Sequence, residues 1–155
     1  DGSSACESVA TGVFATSVQQ MFASDGADSG VTLHVYAGHR AVYLHPLRAM
    51  RIMSNLVGNA LAHAHASRIV VGFRPRGNRV LFQVHDNGTG MSPDTLARVR
   101  AAGAKGDDST GHGLGLAIVQ ELCVEQGLTF ELRSRAGHGT SASVSLPTSA
   151  TTFTG

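Results

Sequence analysis

The sequence predicts a two-layer α/β sandwich of the α+β class: a mixed, mostly antiparallel sheet covered by about three main helices. Three observations predict it. Segments with helical apolar spacing alternate along the chain with pairs of short strand-like runs. The runs within a pair are separated by short turn-forming segments, as in antiparallel hairpins. The chain has 155 residues, 42% of them hydrophobic and 15% charged, which suits one domain able to bury its own core. A single unit spanning 1–155 is expected, with its core over about 8–147 and a disordered tail over 148–155.

The elements follow in order. Val9, Val13, Phe14, Val18, Met21 and Phe22 have helical spacing, which predicts a helix from Val9 to Phe22. Ser24 to Gly30 is rich in Ser, Asp and Gly and reads as a loop. Val31–Tyr36 alternates as a strand and is expected to pair with Ala41–Leu44 across Gly38-His39-Arg40. Pro46 suits the first turn of a helix running to about Ala64. Arg68–Phe73 and Arg79–His85 read as a hairpin around Arg76-Gly77-Asn78, with Val80, Phe82 and Val84 on one face. Ser92-Pro93-Asp94 opens a short helix to about Arg100, and Ala101–Thr110 reads as a flexible loop. Gly113–Glu125 is helical, with Leu114, Ile118, Leu122 and Cys123 as the expected buried stripe. Leu128–Ser134 and Thr140–Leu146 complete the sheet as strands. One strand pair is expected to be parallel or joined through a helix, which makes the sheet mixed.

Charge and composition exclude several classes. The formal net charge is +1, so no nucleic-acid partner and no direct membrane contact are expected. No apolar run approaches the roughly 18 residues that span a bilayer. The start, Asp1-Gly2-Ser3-Ser4, is polar, lacks Met and shows no signal peptide, as in a piece excised from a longer protein. Cys6 and Cys123 are far apart in sequence and read as two unpaired thiols, in keeping with a reducing cytoplasm.

Four local patterns could carry chemistry. Asn55, Asn59 and His63 stand four apart on the predicted helix and share one stripe, flanked by Leu56, Val57, Ala60 and Leu61. Asparagine is a poor helix former. Amide oxygens here could help hold Mg²⁺ on phosphates, since that hard cation uses few protein oxygens. Taken alone, such a stripe is more often a solvated polar face. Asp86 stands where a strand meets the turn Asn87-Gly88-Thr89-Gly90-Met91. Its carboxylate could accept a hydrogen bond from an exocyclic amine such as that of adenine, with Gly88 and Gly90 making room and permitting positive φ. Asp-Asn-Gly is equally an ordinary turn. Gly111-His112-Gly113-Leu114-Gly115-Leu116 matches the dinucleotide-binding fingerprint poorly and follows no clear strand, yet it precedes a helix whose N–H groups could hold phosphate. Gly137-His138-Gly139-Thr140 lies just before the last strand and could be a hairpin turn.

In combination and in this order, the four patterns resemble the GHKL superfamily, and within it the catalytic and ATP-binding domain of bacterial sensor histidine kinases. The resemblance covers about Ser8 to Pro147. Arg51–Ala64 resembles the family's asparagine box, Asp86–Gly90 its first glycine box, Gly111–Leu116 its second, and Gly137–Thr140 its terminal Gly-Thr element. The implied fold is the Bergerat-type ATP-binding sandwich.

The resemblance implies roles for individual residues. Asn59 would bind Mg²⁺, with Asn55 beside the phosphates of ATP. Asp86 would hold the adenine amino group, with Gly88 and Gly90 shaping the pocket and Thr140 joining the same polar network. His63, Met91, His112, Leu114 and Leu116 belong to the boxes and would line the nucleotide site. Gly111, Gly113 and Gly115 would hinge a lid over about Met91–Thr110 and present N–H groups to phosphate. Lys105 is the lid's one lysine and the candidate phosphate contact. Two departures stand out: the lid has no Phe, Tyr or Trp, and Ala62 replaces the basic residue often found there, with His63 next.

Position 55 separates kinase from ATPase. The superfamily's ATPases typically place a Glu four residues before the metal-binding Asn, as the base that activates water. An amide cannot take up a proton at neutral pH, so Asn55 points to phosphoryl transfer to an external acceptor. The resemblance implies a histidine acceptor on a separate dimerisation domain, a response regulator downstream, and a cytoplasmic location within a parent protein that could be anchored in the inner membrane. Two alternatives use the same pocket: an anti-sigma-factor-type serine kinase, and a GHKL ATPase or non-catalytic nucleotide-binding module.

Overall fold

Apolar residues at every second position build the central sheet. In the strand Arg79–Asp86, Val80, Phe82 and Val84 are buried, and in Arg68–Arg76 Ile69, Val71 and Phe73 are buried. A computed structural model describes residues 5–105 and 111–150. In chain order they form β1 (Glu7–Ala10), α1 (Thr11–Asp28), β2 (Thr32–Val35), β3 (Ala41–Leu44), α2 (Pro46–His63), β4 (Arg68–Arg76), β5 (Arg79–Asp86), α3 (Pro93–Lys105), α4 (Gly111–Gln126), β6 (Thr129–Arg135) and β7 (Gly139–Pro147). The main sheet has strand order β2-β4-β5-β7-β6, and β1 and β3 form a separate two-stranded ribbon. The helices pack on one face of the sheet, with Phe14, Val18, Ile52, Met53, Val57, Val119 and Cys123 meeting Phe82 and Val144 in the core. The other face has no helical layer among the described residues. The α+β sandwich with a mixed sheet is as expected, with four helices among the described residues rather than three.

The expected pairing of residues 31–36 with 41–44 does not occur. β2 runs parallel to β4, with Leu33 opposite Ile69 and Val35 opposite Val71, while β3 pairs antiparallel with β1. The cause is Thr11, whose side chain is fully buried. Its N–H and hydroxyl both donate to the Arg40 carbonyl, at 2.8 and 3.1 Å, and its Oγ1 accepts from the Arg40 N–H at 3.3 Å. The clamp carries the segment after β2 away from that strand and toward β1. Gly38 turns the chain with φ 67°, close against the Phe73 carbonyl.

Three boundaries also differ. Val9 lies in β1, and α1 runs on through the Ser- and Asp-rich segment to Asp28. Helix α3 continues past Arg100 to Lys105, so the first half of the expected 101–110 loop is helical and residues 106–110 lie outside the described set. In α4 the buried stripe is Leu116, Val119, Leu122 and Cys123, with Ile118 only half-buried. Burial pushes the Cys123 thiol up to about 12, so it packs as a small apolar group. At the other end of the chain the Thr148 hydroxyl donates to the Asn78 carbonyl at 2.6 Å.

Helix α2 positions the site, and its ends explain how. His45 Nδ1 accepts from the Arg48 N–H at 3.3 Å as a side-chain N-cap, and Pro46 fills the first turn. At the other end His65 takes φ 54°, where glycine is usual. A left-handed residue of this kind costs about 1 kcal/mol. It turns the chain sharply from α2 toward β4.

Candidate functional site

β5 ends on Asp86, which stands opposite Thr140 of β7. Asp86 Oδ1 accepts from the Gly88 N–H at 2.9 Å and from the Thr140 N–H at 3.2 Å, so two backbone groups orient the carboxylate. Asn87 staples the following loop to the α2–β4 connection. Its Oδ1 accepts from the N–H groups of Ser67 and Arg68 at 3.0 and 2.9 Å, and its Nδ2 donates to Ser67 Oγ at 2.9 Å. The Thr89 N–H donates to the Ala64 carbonyl at 3.0 Å, and the Gly137 N–H to the Thr89 carbonyl at 2.7 Å.

The glycines are needed where main chain meets main chain. A Cβ on Gly88 would lie 1.8 Å from the Ala64 oxygen, one on Gly90 1.9 Å from the Arg135 oxygen, and one on Gly139 2.0 Å from the Asp86 oxygen. Gly90 and Gly139 also have φ of 68° and 94°. These Cβ directions point at neighbouring carbonyls, while the Gly90 backbone borders the cleft.

Ser134 of β6 is the node that sequence reasoning missed. Its Oγ accepts from the Met91 N–H at 2.8 Å and sits 3.0 Å from the Gly139 carbonyl and 2.8 Å from Thr140 Oγ1. A hydroxyl has one proton. Ser134 therefore donates to Gly139 when Thr140 donates to it. The only hint in the sequence is its inward phase in β6, which it shares with Leu132.

The opposite wall is the face of α2 that carries Leu56, Asn59, Ala60, His63 and Ala64. Asn59 Oδ1 is buried and has no hydrogen-bond partner among the described residues. A buried polar atom left in this way costs about 1–3 kcal/mol; the side-chain nitrogens of Gln120 and Gln126 are unpaired in the same way, but Asn59 borders the cleft and they do not. Asn55 behaves differently: its Nδ2 donates to the Arg51 carbonyl at 2.7 Å, back along its own helix, and it does not border the cleft.

Between the walls lies an open cleft of about 470 Å³, floored by Val84, Met91, Leu116, Leu132 and Ala142. That volume includes solvent at the mouth of the cleft; the cleft's make-up, apolar walls with few convergent polar groups, is that of small-molecule sites. It brings together Asn59, His63, Asp86, Gly90, Met91, Leu116 and Thr140 of the predicted site residues. Gly88 is held behind the loop against Ala64. The Gly111–Gly115 backbone forms the start of α4 and is helical from Gly111 rather than from Gly113. The side chains of His112, Leu114 and Lys105 lie outside the described set.

His85 precedes Asp86 but faces the outer side of the sheet. Partial desolvation first, and the Arg74 guanidinium second, hold its pKa below the ordinary 6.5, with Asp86 opposing.

Comparison with known proteins gives the same picture. The family described as "Histidine kinase-, DNA gyrase B-, and HSP90-like ATPase" matches residues 44–150. The methanogenesis regulatory histidine kinase FilI of Methanothrix harundinacea is 35% identical over 123 residues, covering 77% of this chain and 14% of that protein. The alginate biosynthesis sensor protein KinB of Pseudomonas aeruginosa is 32% identical over 136 residues, covering 85% of this chain and 23% of that protein. The chain thus spans less than a quarter of the length of either relative. Full-length ShkA, solved in complex with AMPPNP, superposes with a TM-score of 0.77 at 25% identity, over 94% of this chain and 32% of that one. The nucleotide-free catalytic domain of histidine kinase ThkA superposes with a TM-score of 0.76 at 16% identity, over 92% of this chain and 95% of that one, a likeness of fold.

Proposed function

Because the chain belongs to the histidine kinase-, DNA gyrase B- and HSP90-like ATPase family, we propose that its cleft binds Mg-ATP and positions the γ-phosphoryl group for transfer to a histidine on a separate dimerisation domain, in a pathway that continues to a response regulator. The observation that carries this reading is the orphaned Asn59 Oδ1, facing an oriented carboxylate across the cleft.

Each end of the cleft has its own task. Asp86 is held by two N–H groups so that its carboxylate meets the adenine amine, with Thr140 and Ser134 completing the polar rim. Val84, Met91, Leu116 and Leu132 exclude water from the faces of the base. Asn59 supplies one hard oxygen, which fits Mg²⁺, a cation that keeps most of its waters and takes few protein ligands. When bound, the metal neutralises phosphate charge. The first N–H groups of α4, at Gly111 to Leu114, have no partner within their own helix and suit phosphate oxygens. Asn55 bonds its own helix and cannot act as a base, so no side chain at that position activates water for hydrolysis.

Calorimetry with ATP and GTP, with and without Mg²⁺, tests the reading. Mg-ATP is expected to bind at micromolar to submillimolar Kd, roughly −5 to −8 kcal/mol, with GTP weaker. No heat at millimolar Mg-ATP would sink it. Phosphate release by the isolated chain should be slow, and adding the parent's dimerisation domain should yield acid-labile phosphohistidine. Rapid hydrolysis without an acceptor would favour an ATPase instead.

A further inference from the structure

We infer that the outer, helix-free face of the sheet is a docking surface for a carboxylate-rich protein segment. Strand alternation places Arg68, Arg74, Arg76, Arg79, Arg133 and Arg135 on that face, against one acid, Glu131. The chain has 12 Lys and Arg and 11 Asp and Glu. Six of the 12 and one of the 11 lie here, so the face carries +5 and the remainder of the chain −4. A near-neutral total therefore conceals a strongly segregated charge.

The residues around this charge show what it could hold. Arg76 pairs with Glu131 at 3.9 Å. Arg79 bonds to Ser145, with its Nε 2.6 Å from Oγ. Burial first and the Arg74 guanidinium second disfavour protonation of His85, against Asp86. Beside these, Arg133, Arg135, His85 and His138 border an open groove at the β5-β7-β6 end, which Asp86 also lines from the inner phase of β5, its Oδ1 already accepting from the Gly88 and Thr140 N–H groups. Guanidinium forks match carboxylates bidentately. Residues two apart on one strand stand about 6.6 Å apart, as Arg133 and Arg135 do, a spacing that alternate residues of an extended acidic segment reproduce. A long polyanion or a charged membrane would run on past the face and meet the net negative remainder of the chain. A short acidic segment would not. The arginine-lined groove also contains no Phe, Tyr or Trp on which a base could stack.

The test is fluorescence anisotropy of a labelled oligoglutamate peptide titrated with the full chain at low salt. Binding should weaken as salt is raised. The double reversal Arg133→Glu with Arg135→Glu should weaken it by about tenfold or more, with melting temperature and ATP affinity unchanged. Arg48→Glu with Arg98→Glu, on the helical side, should leave it intact. Equal loss in both double variants, or no loss in the first, overturns the proposal. So does tighter binding of single-stranded DNA or of phosphatidylserine vesicles than of the peptide.

Discussion

The two walls of the cleft treat their polar atoms in opposite ways. On the strand wall and behind it, the side chains of Asp86, Asn87 and Ser134 are each tied to main-chain groups by bonds of 2.8 to 3.2 Å, and Thr140 Oγ1 is bonded to Ser134. On the helix wall, the Asn59 Oδ1 atom is buried and has no donor to accept from among the described residues. The strand wall is preorganised and rigid before any ligand arrives. On the reading proposed above, in which the cleft takes Mg-ATP, base recognition and metal capture would be separable, one held by bonds within the fold and the other resting on an atom the fold leaves unpaired.

Substitutions can break that contrast, and the largest effect is expected on the rigid side. Gly88→Ala places a methyl 1.8 Å from the Ala64 oxygen, a main-chain atom rather than the end of a flexible side chain. A loss of about 3 kcal/mol or more is expected, read by urea denaturation, together with loss of nucleotide binding. An unchanged midpoint would mean that the loop is not clamped.

Next in size is Asp86→Asn. The amide oxygen can still accept from Gly88 and Thr140, so stability should hold, but an NH₂ now faces the base. ATP affinity should fall by roughly 1–3 kcal/mol while GTP changes little. Equal losses for both nucleotides would remove Asp86 from base selection.

Asn59→Leu should act with the opposite sign on stability. It replaces an unsatisfied buried oxygen, so the ligand-free chain should gain up to about 1 kcal/mol, while the Mg²⁺ dependence of ATP binding disappears. A destabilised variant that retains the dependence would refute the asymmetry.

The smallest effect concerns His85, on the outer side of the strand wall. Its pKa is below 6.5 in the fold, so the unfolded chain binds more protons as pH drops below 6.5. Stability should therefore decline from pH 6.5 downward, toward the folded pKa. His85→Gln should flatten this slope in pH-dependent melts. An identical slope in the variant would assign the decline to other groups.

How much of this was legible in the sequence depended on range. The α2 stripe and the β5 alternation are local periodicities, and Val57, Ala60, Phe82 and Val84 are buried as their phases require. The β4–β5 hairpin was equally local, fixed by Gly77 and Asn78 between two alternating runs. Partner choice was not. β2 and β3 are close in sequence and flank a glycine, yet the Thr11–Arg40 clamp across 29 residues sends them to different sheets. Asn87 and the Met91 end of the Ser134 node were hidden for the same reason, since those bonds cross 19 to 43 residues. The glycine boxes located the cleft, but the pattern could not show that Gly88 and Gly90 meet carbonyls.

That distinction bears on how such chains diverge. Gly88, Gly90 and Gly139 answer to the fold, because a Cβ on any of them would lie within 2.0 Å of a neighbouring carbonyl oxygen. Asn59, on the role proposed for it, would answer to a ligand, since its Oδ1 has no partner among the described residues. A descendant that abandoned nucleotide would be expected to keep its glycines and let position 59 drift toward leucine or methionine. In a saturation library sorted for solubility alone, position 59 should relax while 88, 90 and 139 stay fixed; relaxation at the glycines would contradict this. By this logic, disuse in a relative shows first at one asparagine.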